Sequence, residues 1–295
     1  MKQESKGIIC LLLSSLFFAV MGAAVKSIPS IPIAEKIFFR NLVGVIITGI
    51  ILIKNKENLI GSNIKLLTLR SVFGLLGVAA NFYAISKLPL SDAALLNRMS
   101  PFFVILLSLL FLKENVIKYQ IYAMLIALLG AGFVIKPQFD YTIIPALVGL
   151  SSAVFAAGGY TCVRQLRLYS SPYTIVFFFC LFSTLSTIPF MLMGHFTYPS
   201  PRELVLLLLI GISATAAQIF MTTGYRFAPA SRLAIYGYTN ILFSAILAII
   251  LWSEFPDLLS ITGGVLIILG GIINYIVINN ENFNGRIKGS NDRNK

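Results

Sequence analysis

Charge is scarce in this chain, and acidic charge scarcest: 11 Asp and Glu stand against 23 Lys and Arg among 295 residues. Histidine occurs once, as His195, tryptophan once and cysteine three times. A single histidine between apolar spans cannot complete a Ser-His-Asp set within them, and neither an HExxH pattern nor clustered carboxylates offer a metal site. No Gly-x-x-x-x-Gly-Lys-Ser/Thr loop is present, so the chain brings no ATP-hydrolysing domain of its own. Cys10, Cys162 and Cys180 fall inside apolar runs without Cys-x-x-Cys spacing, and they read as buried small hydrophobes rather than a disulfide or a ligand set. The expectation is a protein that is not an enzyme and needs no cofactor or metal.

Apolar residues fill the space that charge leaves. The chain is 57% hydrophobic and 12% charged, with a mean hydropathy of +0.87. Runs of about 20 apolar residues, each long enough to cross a hydrocarbon core of about 30 Å, recur almost end to end. They lie at about 7–26, 33–53, 66–86, 91–112, 116–135, 142–163, 172–194, 203–225, 230–252 and 257–278. They lack the two-residue alternation of a β-barrel, so the fold class is an all-α membrane protein of about ten transmembrane helices. A polar tail without fixed structure is expected after Asn279. If the N-terminus is cytoplasmic, sixteen basic residues, Arg70 among them, fall on the cytoplasmic side and only Lys26, Lys36, Lys87, Lys136 and Arg202 on the other. That bias follows the positive-inside rule and places both termini in the cytoplasm of a bacterial-type cell membrane. It also accounts for the net charge of +12 without nucleic acid, through orientation and contact with lipid headgroups. The first span is repeated inside the chain, so it reads as a transmembrane helix and not a cleaved leader.

The second half repeats the first. Pro89, Ser91, Ala94, Phe103, Leu107, Glu114 and Gly130 recur as Pro229, Ser231, Ala234, Phe243, Leu247, Glu254 and Gly270. Earlier in each half, Leu13-Ser14-Ser15 recurs as Leu150-Ser151-Ser152. Five spans per copy is an odd number, so the copies must lie upside down relative to each other, the architecture of carriers that expose one site alternately to two sides. The expected units are residues 1–137, residues 138–279 in the inverted sense, and the tail 280–295.

An ionisable side chain at membrane depth costs about 2.5–3.5 kcal/mol on insertion scales, so each one calls for a partner or a use. Arg40 and Arg98 sit about 10–12 Å from the ends of the second and fourth spans, too deep for easy snorkelling. Two readings stay open: the guanidinium forks anchor a carboxylate or phosphate of a substrate, or they hold helices together through backbone carbonyls, Glu35 or Asp92. Asn97, Ser100 and Pro101 surround Arg98 and weaken the helix there, freeing backbone groups that must line a cavity or find partners. The ninth span offers Tyr236, Tyr238 and Asn240 at the matching positions. Asn81 and Gln218 are mid-membrane amides, and Tyr83 and Tyr160 are candidates for an aromatic wall. Arg98, Asn97, Arg40, Asn81, Tyr83, Tyr160, Gln218, Tyr236, Tyr238 and Asn240 are therefore the candidate substrate-binding residues, with Asp92 and Glu35 the candidates for proton coupling. Glu114 and Glu254 end the fourth and ninth spans at opposite faces and are expected to tie one helix end to the start of the next.

The stretch from Leu69 to Glu114, LRSVFGLLGVAANFYAISKLPLSDAALLNRMSPFFVILLSLLFLKE, resembles the core signature of EamA-type members of the drug/metabolite transporter superfamily. The FFRN at Phe38–Asn41 is similar to the arginine-bearing second helix of many of them, and Gly224 to Glu254 is a weaker second copy. The resemblance implies two inverted five-helix halves around a central cavity, and secondary transport of a small polar or amphipathic solute by alternating access. Such a solute is anionic or zwitterionic, for instance amino-acid-like or nucleoside-like, with S-adenosylmethionine among the compounds that relatives carry. The alternative is a non-transporting scaffold or lipid-handling protein. Partners are the solute, membrane lipids and a proton or counter-substrate, in a monomer or homodimer.

Overall fold

The computed structural model describes the backbone of residues 2–61, 63–111, 118–135, 143–166, 169–227 and 234–291. Glu114, Pro229 and Ser231, singled out in the repeat, lie outside them. Every described element is helical: α1 Lys2–Lys26, α2 Ile33–Lys54, α3 Ile64–Lys87, α4 Leu90–Asn97, α5 Ser100–Phe111, α6 Lys118–Ile135, α7 Ile143–Leu166, α8 Pro172–Phe190, α9 Pro201–Phe227, α10 Thr239–Trp252 and α11 Leu258–Asn291. Among the described residues nine segments are long and apolar enough to cross a membrane, and Tyr236–Trp252 is a shorter tenth. The helices begin where the sequence supplies acceptors or prolines. Asn63 caps α3 by accepting from Leu66 N at 3.1 Å, Ser171 caps α8 from Thr174 N at 3.2 Å, and Asp257 accepts from Ser260 N at 2.8 Å ahead of α11. α11 carries on to Asn291, past the expected end near Asn279; no proline lies in that stretch to stop it.

Two elements depart from a plain span. The fourth crossing is broken between α4 and α5 at Arg98 and Met99. Arg98 N still donates to Ala94 O and Leu95 O, both at 3.1 Å, but Arg98 has φ −73° and ψ 2° and the ladder restarts at Ser100. The restart absorbs Pro101, since the first N–H groups of a helix have no intrahelical acceptor anyway. The ninth crossing opens with a 3-10 turn, Ala234–Tyr238, before α10.

Helix neighbours follow the inverted repeat. α1 packs on α9 as α3 packs on α7, and α1 packs on α10 as α4 and α5 pack on α7; α2 with α8 and α6 with α11 close the symmetry on themselves. Glycines set the last of these. A Cβ on Gly130 would lie 2.6 Å from Gly263 O, and one on Gly263 would lie 2.5 Å from Gly130 O, so α6 and α11 touch backbone to backbone. Gly132, on the same helix, faces open space.

The duplicated serines have a defined task. Asn240 Nδ2 donates to Ser15 O at 3.0 Å, and Asn97 Nδ2 donates to Ser152 Oγ at 2.9 Å. Ser15 and Ser152 are repeat equivalents. Each holds an asparagine at the break of the opposite half's irregular helix. Ser14 Oγ adds a bond to Ala217 O at 2.8 Å between α1 and α9.

On the side opposite the N-terminus an apolar plug closes the bundle. Val25, Ile28, Ile31, Ile37, Phe82, Leu90, Ala93, Leu207 and Ile210 pack there as one buried cluster drawn from the ends of five helices. Lys26 fastens it. Its Nζ lies 2.5 and 2.6 Å from the Glu254 carboxylate oxygens, donates to Leu88 O at 3.0 Å, and stands 5.3 Å from the Trp252 ring centre. Glu254 thus ties the end of the ninth crossing to α1, not to the helix that follows it.

Candidate functional site

Behind the plug, at mid-bundle, lies a cavity of about 140 Å³, counted as space open to the centre of a water molecule. Its polar wall is built from Arg40, Arg70, Arg98, Asn81, Asn97, Gln218, Asn240 and Ser244, and its aromatic and small wall from Phe18, Tyr160, Phe179, Gly22, Gly74, Gly77 and Gly159. Among the described residues no Asp or Glu lines it. Seven of the ten residues singled out in sequence therefore meet in one place: Arg98, Asn97, Arg40, Asn81, Tyr160, Gln218 and Asn240. Tyr160 is half exposed and sits at the rim.

Tyr83, Tyr236 and Tyr238 are not among the lining residues. Tyr238 is 8% exposed and packs on α11, where a Cβ on Gly271 would come within 2.7 Å of its hydroxyl. The cause is the 3-10 turn: at three residues per turn, the facing of the side chains just before Thr239 departs from that of a continuous α-helix. Asp92 and Glu35 also lie away from the cavity. Asp92 sits in the first turn of α4 beside Ser91, and Glu35 accepts from Thr197 N at 3.2 Å near the start of α2.

Arg70 is the residue that sequence reasoning misplaced. Near the end of a span it reads as a headgroup contact, yet only 9% of it is exposed and it lines the cavity. A signal was available: Arg70, Gly74, Gly77 and Asn81 follow the i, i+4, i+7, i+11 spacing of one helix face, and all four line the cavity. The repeat carried a second. At the offset that relates Ser15 to Ser152, Arg70 corresponds to Leu207, which is fully buried in the plug.

Arg40 and Arg70 share one aromatic ring. Their guanidinium carbons stand 5.6 and 4.0 Å from the centre of Phe179 on α8. Arg40 Nη1 donates to Asn41 Oδ1 at 2.7 Å, and Asn41 is itself held by Ile37 O at 2.8 Å. Arg40 Nε, Arg70 Nε and Arg70 Nη1 are buried without a hydrogen-bond partner. A cation–π contact of this kind is worth about 2 kcal/mol when desolvated, against about 2.5–3.5 kcal/mol for placing each arginine at membrane depth. The ring therefore offsets part of the cost and leaves the rest to whatever enters the cavity. Gly74 makes room: a Cβ there would lie 2.7 Å from Phe179 Cε2 and 2.9 Å from Arg70 Nη1. Arg98 faces another wall, with Nη1 beside Gly237 at the start of the ninth crossing, where a Cβ would lie 3.2 Å from it. Among the described residues no group of three His, Cys, Asp or Glu is placed to hold a metal.

The model of the EamA-like transporter family matches residues 5–136 and again 143–276. A Pseudomonas aeruginosa protein named pseudopaline exporter is 40% identical over 270 residues, covering 90% of this chain and 94% of the relative. A Brucella anthropi protein named riboflavin transporter is 26% identical over 247 residues, covering 82% of this chain and 86% of its own. A Rickettsia prowazekii protein named S-adenosylmethionine uptake transporter is 24% identical, covering 68% of each. A solved crystal structure shares the fold, with a TM-score of 0.67 over 92% of this chain and 98% of its own at 16% identity.

Proposed function

Because the chain belongs to the EamA-like transporter family and is a multi-pass membrane transporter, we propose that it moves a small anionic or zwitterionic organic solute through the central cavity by alternating access, in the direction of export. The observation that carries the substrate class is the charge of the cavity wall: among the described residues it presents three arginines and four amide side chains, and no acidic residue. A cationic solute would meet repulsion there, while a carboxylate or phosphate finds guanidinium forks in a site of low dielectric. The full-length similarity to proteins named pseudopaline exporters supports the direction and leaves a pseudopaline-like solute as a candidate. With the termini in the cytoplasm, as the basic residues favour, the plug shuts the cavity from the outside. Energy comes from a solute or ion gradient, since no nucleotide-binding loop exists in the sequence.

The test is a comparison of spent media from cells expressing the chain, cells expressing Arg98→Gln and cells carrying an empty vector, by untargeted mass spectrometry. An organic anion that accumulates at least about tenfold with the wild-type chain, and not with the variant at equal membrane abundance, supports the reading. Unchanged media, or accumulation indifferent to Arg98→Gln, sinks it and favours a scaffold or lipid-handling role.

A further inference from the structure

Arg40 on α2 and Arg70 on α3 converge on one ring, Phe179 of α8, with guanidinium carbons 5.6 and 4.0 Å from its centre. The convergence is built into the sequence. Each arginine is followed one turn later, on the same helix face, by a glycine: Gly44 after Arg40 and Gly74 after Arg70. A Cβ on Gly44 would lie 2.6 Å from Cys180 Sγ, and one on Gly74 would lie 2.7 Å from Phe179 Cε2. Both helices therefore close on the same turn of α8 because those two side chains are missing. Arg40 and Arg70 are 4% and 9% exposed, and both line the cavity. Arg40 Nη1 donates to Asn41 Oδ1, while Arg40 Nε, Arg70 Nε and Arg70 Nη1 find no acceptor. Among the described residues neither guanidinium has a carboxylate partner. The ring attracts both cations with its face but cannot balance a full charge. Two like charges over one ring also repel each other, more strongly away from water.

We infer that Arg40 and Arg70 together form the receptor for one oxyanionic group of the solute, a carboxylate or a phosphate, with Phe179 holding both guanidinium groups from behind. The inference rests on the reading of the cavity as a transport site for anionic solutes, and it assigns the anchoring group of the solute to this pair. An oxyanion lodged beside both cations cancels their mutual repulsion and accepts from the donors that face the cavity. The planar fork of a guanidinium matches the paired oxygens of such a group, which a point cation does not. A neutral solute would leave both charges unbalanced in a site of low dielectric. Because one cation stands on α2 and the other on α3, the bound group also ties these helices to each other and, through the ring, to α8. The repeat agrees: Leu207 stands where Arg70 would recur, so the pair belongs to one half alone and is not part of the shared scaffold.

The experiment reads the Tm of the purified, delipidated full chain in neutral detergent. The probes are inorganic phosphate, acetate and phosphatidylglycerol, each compared with chloride at equal ionic strength. Phosphate or acetate should raise the Tm by at least about 3 °C over chloride, and the gain should fall below about 1 °C in Arg70→Gln. Arg70→Lys keeps the charge and loses the fork, and it should retain less than half of the gain. Equal gains in the wild-type chain and in Arg70→Gln are a general salt effect and overturn the pair, as does no gain with any probe. A gain with phosphatidylglycerol alone overturns the assignment to a solute and gives the pair to a lipid headgroup. If Arg70→Gln does not assemble, Gly74→Ala takes its place with the same loss expected, since its Cβ would lie 2.9 Å from Arg70 Nη1. Failure here leaves the transport reading standing, because the spent-media comparison turns on an exported anion and on Arg98→Gln, neither of which enters this measurement.

Discussion

Cutting the Lys26–Glu254 tie should loosen the plug by a predictable amount. The pair has Nζ–oxygen distances of 2.5 and 2.6 Å, side-chain exposures of 13% and 30%, and an additional bond from Lys26 to Leu88 O. At an effective dielectric of about 20, unit charges about 4 Å apart attract by about 4 kcal/mol, but desolvation and side-chain entropy reduce the net value of a partly exposed pair. A net of about 1–2 kcal/mol is the working figure for this one, between the exposed and buried extremes. On the proposed alternating-access reading, opening to that side parts α1 from the end of α10, and the pair then acts on the closed state alone. Losing it raises the open population by about 5–30-fold, at about 1.4 kcal/mol per tenfold. The assay is the modification rate of a cysteine placed at Leu207, a fully buried plug residue, by a membrane-impermeant thiol reagent applied to the side opposite the N-terminus. Cys10, Cys162 and Cys180 are first replaced by alanine. When reclosing outpaces labelling, the rate tracks the open population. Lys26→Ala and Glu254→Ala should each speed labelling by that factor, and the double variant should add little to either. A rate that moves less than twofold in both single variants, with thermal stability unchanged, would refute the tie as a lock on this side.

Four further substitutions separate site from scaffold. Gly74→Ala should lower solute flux at least about tenfold with wild-type assembly, because its Cβ displaces Arg70 and Phe179 side chains and not backbone; size-exclusion profiles and liposome flux check it. Gly263→Leu should break the α6–α11 contact and yield an aggregated or short-lived protein, while Gly132→Leu, whose added Cβ meets no other described element within 4 Å, should remain monodisperse in detergent. Asn240→Leu removes one interhelical hydrogen bond to Ser15 and should cost about 0.6–1.7 kcal/mol, read as a small drop in Tm, with no loss of membrane abundance.

The crossings are legible in sequence because lipid enforces one rule, about 20 apolar residues per span, and the broken fourth helix is legible because Asn97, Arg98 and Pro101 all disfavour an unbroken ladder. Arg40, Arg98 and the four amides are found by asking what the membrane should not tolerate. Arg70 escapes that question. Its distance from a span end makes it resemble a headgroup contact, and only the one-faced spacing with Gly74, Gly77 and Asn81 marks it as inward. The tyrosines fail for a different reason. Tyr236 and Tyr238 match Arg98's surroundings by repeat alignment, but alignment carries no information on the 3-10 turn that sets which way they face. Glu254 is legible as an interface residue, whereas its tie to Lys26 is a contact across more than two hundred residues that no local pattern encodes.

All three cavity arginines belong to the first half of the chain, while Phe179, Gln218 and Asn240 belong to the second. During synthesis α2, α3 and α4 therefore emerge before Phe179 and two of the four amides, Gln218 and Asn240, that face their cations. The two spans that carry Arg70 and Arg98 are also the least apolar of the nine long ones, at mean hydropathies of 1.4 and 1.3. The first half expressed alone should therefore insert less completely than together with α8 to α10, as its membrane-inserted fraction would show. Duplication supplied two copies of one frame, and the cations of the earlier copy now face a ring and two amides of the later one.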